Sequence, residues 1–234
     1  MKLYFSPLAC SLATRIAFYE AGVEAQYVEV DPQTKKTTDG LDFRTVSSLG
    51  LVPALDLGDG ELLTENAAIL QYVADQLSEA QLAPRDPLGR ARLQQWLGFI
   101  GTELHKGIYV PLLDKKAPEG AKAFALSKVE SRLSWLSEKL EGREYLLERF
   151  SVADGYLFTV LNWSVVTPVS LKPWPSITSY MARMRERPSI ARAYGEERTL
   201  YAKELARHAL VGAWDGLKKL AGGREATDAH RKTT

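Results

Sequence analysis

The hydrophobic periodicity of this chain changes character once, at "EAQLAPRDPL" over residues 79–88, and that change limits the folds open to it. Before it, the short apolar runs "KLYF", "AQYVEV", "PALDL" and "ELLT" are interleaved with helical stretches that begin after Cys10 and after Glu65. The order reads strand, helix, strand, helix, strand, strand, helix, which implies a small α/β sandwich. Within it, "DLGDGELL" sets Asp59-Gly60 between two runs, a signal for a tight hairpin. After the two prolines nearly every segment has helical spacing. Leu93, Trp96, Ile100, Leu104, Ile108 and Leu112 recur at three or four residues, as do Val129, Leu133, Leu136 and Leu140.

A chain of 234 residues is long enough for two such lobes. The expected division is an α/β domain over 1–78, a linker over 79–87 and an all-helical domain over 88–201. Residues 202–234 form a C-terminal extension. There "KELARHALVGAWDGLKKL" suits one more amphipathic helix, and "AGGREATDAHRKTT" suits a frayed, disordered tail. At the start of another helix, Ser151 and Asp154 in "FSVADGYLFTVL" form a capping box with Asp in the Glu position, a folding signal rather than chemistry.

Thirty basic residues stand against 29 acidic ones, so no broad field draws nucleic acid or an anionic membrane. No stretch reaches the ~18 apolar residues of a spanning helix, and the first residues lack the apolar length of a signal peptide. A soluble, intracellular chain is expected. One cysteine closes no internal disulfide, and His105, His208 and His230 are too scattered to form a ligand cluster, so no metal is expected.

That cysteine lies in "YFSPLACSLATR", where a strand gives way to a helix. Unpaired amides and the positive end of a helix dipole there would stabilise a thiolate and depress its pKa. The position is also outside the carboxyl end of the first strand, where α/β sheets bind ligands. A small buried hydrophobe is the alternative. Three residues on stands Ala13 rather than a second cysteine, so any partner thiol comes from outside. Further along, a cis Val52-Pro53 bond would turn the Val52 backbone outward to pair with an extended ligand. At Glu65-Asn66 a helix start offers amides to a carboxylate, while the Glu65 side chain suits an ammonium group. Read alone, such a Glu65 is more often just a first-turn acid that suits the dipole.

Taken in order, "SPLACS", "LVPAL", "LLTENAAILQYVAD", "ELHKGI" and "SVADGYLFTVLNW" resemble the glutathione transferases, and the set looks like their bacterial beta class. The resemblance runs from Met1 to about Arg198. It implies a thioredoxin-like glutathione-binding domain, a helical domain and a cytoplasmic homodimer. By the same resemblance Cys10 faces the glutathione sulfur, and Val52, beside Pro53, pairs with the cysteinyl unit. Glu65 and Asn66 hold the γ-glutamyl end, and Lys35 contacts the glycyl end. His105 and Lys106 reach across from the helical domain, and Trp163 walls the second-substrate pocket with Tyr109 and Pro111. Ser11 is a second candidate for stabilising the thiolate, since other classes use a hydroxyl there. Three positions depart from the class: Leu51, Asn66 and Gly98 stand where Gln, Ser or Gly, and Asn are common.

The implied activity is conjugation of glutathione, as co-substrate and without metal, to apolar electrophiles in xenobiotic detoxification or dehalogenation. A thiol-disulfide reductase cycling through Cys10 and a non-catalytic carrier of apolar ligands are the alternatives.

Overall fold

The computed structural model describes residues 1–231, with side chains as far as residue 209. Four strands, β1 (Lys2–Phe5), β2 (Gln26–Glu29), β3 (Ala54–Gly58) and β4 (Glu61–Thr64), form one sheet in the order β2-β1-β3-β4. β1 runs parallel to β2 and antiparallel to β3, with Leu3 opposite Tyr27 and Leu55. The connection from β1 to its parallel neighbour is helix α1 (Leu12–Glu20), as a parallel crossover requires. Alternation along β1 separates two cores: Leu3 and Phe5 join the large one beneath the helices, and Tyr4 packs on Phe43 on the other face at 5.2 Å between rings. At the β3–β4 turn Asp59 and Gly60 both take positive φ, 54° and 84°, the conformation that matches strand twist in a two-residue hairpin.

The helix expected between β2 and β3 is absent. Residues 30–53 form an irregular loop with one short helical turn, Phe43–Thr45. The Asp31 carboxylate captures the amides of Gln33 and Thr34, and isolated bridges pair Val30 with Thr37 and Lys36 with Asp42. Side-chain bonds of this kind compete with a helix.

Helix α2 (Asn66–Gln76) closes the α/β unit. Beyond it the linker is pinned: Leu82 is buried and its carbonyl accepts the Val152 amide at 3.0 Å. A continuous helical rod follows, made of α3 (Pro87–Phe99), a widened segment with five-residue bonding over Ile100–Tyr109, and α4 (Val110–Leu113). Asp86 caps its start by accepting the Gly89 amide at 2.7 Å. The widened turn depends on Gly107, where a Cβ would come within 2.8 Å of the Thr102 carbonyl five residues back. Such wide turns concentrate at functional sites, and this one carries His105 and Lys106.

Helices α5 (Glu119–Leu140), α6 (Val152–Asn162), α7 (Pro175–Glu186) and α8 (Pro188–Arg231) complete the helical lobe. Every residue of α6 is buried, so its apolar character all round reflects a central helix. The capping box forms, and Gly155 lets α6 approach α1, since a Cβ there would meet Ile16 at 3.3 Å. Helix α8 crosses the expected boundary at residue 201 without a break and continues through the "AGGREATDAH" stretch expected to fray. The remainder of that tail, 232–234, lies outside the described residues. No helix among the described residues is long and apolar enough to cross a membrane.

Candidate active site

Cys10 sits on the loop between β1 and α1, half-buried, with its thiol donating to the Val52 carbonyl at 3.3 Å. That bond ties the loop to the Val52-Pro53 segment, whose peptide bond is cis. The sequence expectation of a depressed thiol pKa is overturned. Burial pushes Cys10 up to about 11, outweighing the pull of Lys106 and of the Cys10 and Ser11 amides, with Glu65 adding to the rise. The amides are present as expected; desolvation is the larger effect. Cys10 is therefore a protonated donor near neutrality.

The Ser11 hydroxyl is engaged within the loop. Its side chain is fully buried, accepting from the Ser6 amide and donating to the Ser6 carbonyl, both at 3.3 Å. It shapes the loop from within. Glu65, by contrast, is exposed and takes a positive φ of 66° at the start of α2, a conformation that costs a non-glycine residue of the order of 1 kcal/mol or more. Asn66 turns inward: its side chain is buried and accepts the Thr14 hydroxyl at 3.4 Å, while Nδ2 has no partner. What Asn66 can offer a ligand is its backbone amide.

From the helical lobe, His105 is buried, with Nδ1 2.7 Å from the Tyr156 hydroxyl and its ring 4.9 Å from that of Trp163. Burial, with Lys106 beside it, lowers His105 to about 4, so its imidazole is neutral at physiological pH. Lys106 itself is exposed, and its charge acts on both His105 and Cys10. Tyr109 is fully buried, 5.9 Å from the Trp163 ring. Pro111 is half-buried on α4, and Lys35 is half-buried on the loop after β2. A cavity of about 970 Å³ lies elsewhere, lined by Trp96, Trp135 and Arg149 among others.

Three residues escaped the sequence reading. Tyr156 holds His105 from the buried helix α6, and its hydroxyl stays protonated, chiefly through burial and with the Cys10 and Glu65 charges adding to the effect. Glu197 on α8 reaches 189 residues back to accept the Leu8 amide at 2.7 Å, while the indole of Trp163 donates to the Leu8 carbonyl at 2.8 Å. Leu8 has a φ of 58°, so the loop that presents Cys10 is gripped at its strained residue from both sides. The Glu197 side chain is fully buried, with Oε1 2.9 Å from Nε of the equally buried Arg15. This is an ion contact without hydrogen-bond geometry. The Arg15 guanidinium also lies over the rings of Phe5 and Tyr27, at 4.3 and 4.0 Å. A signal for Glu197 exists: it falls in phase with Ile190 and Ala193 on the buried face of α8, where an acid needs a partner.

A thioredoxin-like domain that presents a thiol against a cis-proline segment, beside an all-helical lobe, fits a glutathione-dependent transferase, and comparison with known proteins agrees. Residues 1–75 match the family model for the glutathione S-transferase N-terminal domain, and residues 99–188 match that for the C-terminal domain. The chain is 41% identical over 199 residues to the glutathione S-transferase GstA of Escherichia coli O157:H7, covering 84% of this chain and 98% of that one. A bacterial beta class glutathione S-transferase of Sphingomonas chungbukensis superposes with a TM-score of 0.80 at 44% identity, over 84% of this chain and 98% of the other. A sphingomonad glutathione S-transferase complexed with glutathione gives 0.79 at 43%, with the same coverage. The chain belongs to the glutathione S-transferase family, with the bacterial beta class.

Proposed function

We propose that this glutathione S-transferase joins glutathione to small apolar electrophiles, halogenated aromatics among them, in the manner of a detoxifying enzyme. The observation that carries the reading is the junction of Cys10 with the Val52 carbonyl, flanked by the start of α2 at Glu65 and by Lys106 from the helical lobe. An extended tripeptide laid along Val52 and Pro53 has its γ-glutamyl end at Glu65 and the Asn66 amide, and its glycyl end toward Lys35. Its sulfur then lies nearest Cys10.

In this reading the glutathione thiolate attacks the electrophilic carbon. A carbon–sulfur bond forms, the halide leaves with its electron pair, and the thiol proton has gone to solvent. Cys10, protonated, donates its S–H to that thiolate, and Lys106 adds positive charge. Neutral His105, held by Tyr156, orients polar groups near the sulfur without carrying charge. Pro111 and Trp163 wall the second pocket, with Tyr109 buried behind Trp163 and Val165 and Val166 exposed on the turn that follows it. Pairing of two copies and a cytoplasmic setting belong to the same reading and rest on the likeness to the bacterial enzymes.

The raised Cys10 pKa favours conjugation over the reductase alternative, whose first step needs a Cys10 thiolate. The experiment is retention on glutathione-agarose together with turnover of chlorodinitrobenzene. Wild type is expected to bind and turn over, and Cys10→Ala to keep binding and lose about tenfold or less in rate, the value of one donor. Complete loss of turnover in Cys10→Ala, with mixed-disulfide reduction in wild type, would support the reductase. Retention without any turnover would support the carrier.

A further inference from the structure

The model of the helical lobe's family ends at residue 188, and relatives matched over 98–99% of their own length account for only 84% of this chain, leaving 16% outside the match. The outer turns of α8 are nevertheless bonded to the thioredoxin-like lobe. Arg207 pairs with Glu29 at the end of β2. His208, the next residue, bridges two side chains of the following turn: Nε2 lies 2.8 Å from Asp31 Oδ2, and Nδ1 lies 2.9 Å from Gln33 Nε2. An imidazole with its proton on Nε2 satisfies both contacts, donating to the carboxylate and accepting from the amide.

The turn so held is the one that carries Lys35. The other Asp31 oxygen accepts the amides of Gln33 and Thr34 at 2.8 and 3.0 Å. The Asp31 carbonyl accepts the Lys35 amide at 2.9 Å, and the Asp31 amide donates to the Lys36 carbonyl at 2.8 Å. Lys35 takes a φ of 59°, a conformation the turn must enforce. Its alkyl chain crosses Gly50, where a Cβ would meet Lys35 Cδ at 3.5 Å, two residues before Val52. The most direct route from α8 to Lys35 thus runs through Asp31 in short bonds, with the Gln33 contact beside it.

We propose that His208 is a positioning residue for glutathione: by holding Asp31 and Gln33 it fixes the Asp31–Lys36 turn and aims the Lys35 ammonium at the glycyl carboxylate. The proposal rests on the role given to Lys35 in the reading above. It makes the outer part of α8 a working part of the glutathione site, acting on the affinity for the co-substrate and not on the bond-forming step.

The test is a double-mutant cycle in the full chain, with chlorodinitrobenzene turnover followed against glutathione concentration. Lys35→Ala is expected to raise KM for glutathione about tenfold and His208→Ala about fivefold, with kcat and KM for the electrophile held. The double variant is expected to be no worse than Lys35→Ala. His208→Gln, which keeps an amide donor for Asp31, recovers part of the loss. An unchanged KM in His208→Ala beside a raised one in Lys35→Ala overturns the proposal and leaves the Lys35 reading intact. Full additivity in the double variant, or a fall in kcat with no KM effect, also overturns it, because His208 then acts otherwise than through Lys35. An unchanged KM in Lys35→Ala removes the reading of Lys35, and the proposal with it.

Discussion

Glu197→Ala is expected to lower stability by about 2–5 kcal/mol, because it strands two buried groups, the Arg15 guanidinium and the Leu8 amide, at about 1–3 kcal/mol each. Two groups lose their neighbour at once. Arg15, only 5% exposed, loses its buried neighbour and keeps the Phe5 and Tyr27 rings and a contact with Glu196, which is 41% exposed and correspondingly screened. The Leu8 amide loses the carboxylate that holds the strained loop from the α8 side. Activity should fall with stability, since that loop presents Cys10. Glu197→Gln keeps an acceptor for Leu8 and separates the two effects. It also has a pH signature. Burial, against the pull of Arg15 and the Leu8 amide, lifts Glu197 to about 8. An unfolded glutamate releases its proton near ~4.3. The folded chain thus holds a proton that the unfolded one has lost, so this contribution is full below that pH and is lost as pH rises through about 8. Urea unfolding at pH 5 and pH 8.5 should show the decline in wild type and a flatter response in Glu197→Gln. A penalty under about 1 kcal/mol in Glu197→Ala would show that the α8 contact does not hold the loop.

The second large effect is expected at Asp154. Its carboxylate is wholly buried and collects four donors: the Leu146 amide at 2.9 Å, the Ser151 amide at 2.9 Å, the Ser151 hydroxyl at 3.0 Å and the Tyr180 hydroxyl at 2.9 Å. The last and the first come from outside α6, so the capping box also ties the preceding loop and α7 to the central helix. Asp154→Ala leaves these donors buried without an acceptor, at about 1 kcal/mol or more each, for a total of about 3–5 kcal/mol. Asp154→Asn keeps one acceptor oxygen but points two protons at existing donors, and should fall between the two. Because α6 carries Tyr156 and leads directly to Trp163, both variants should lose activity in step with folding. Chemical denaturation beside turnover checks this; full stability in Asp154→Ala would show the cap to be dispensable.

Much of this architecture is legible in local sequence, and the omissions share one cause. The hairpin at Asp59-Gly60, the cap at Ser151 and the two-lobe division are short-range patterns, set by turn conformation and periodicity. The irregular loop after β2 is not: Asp31, Gln33 and Lys35 look helix-compatible until the bonds to Asp31 are seen. Glu197, Arg15 and Tyr156 are defined by contacts between residues far apart in sequence, and spacing alone does not announce them. Burial is equally hidden. The amides of Cys10 and Ser11 do lie beside the sulfur, yet desolvation outweighs them and raises the Cys10 thiol, and the Ser11 hydroxyl is taken up by Ser6.

In the proposed mechanism fixed donors, not a titrating protein base, ionise the glutathione thiol. Cys10 is pushed up to about 11 and His105 down to about 4, so neither changes charge between pH 6 and about 9. The direct measurement is kcat/KM for chlorodinitrobenzene at saturating glutathione across that range, in wild type and Cys10→Ala. A single limb rising with pH is expected in both, with a midpoint in wild type below the ~8.5 of a free thiol. A wild-type midpoint at the free-thiol value, or a limb that disappears in Cys10→Ala, would contradict the account.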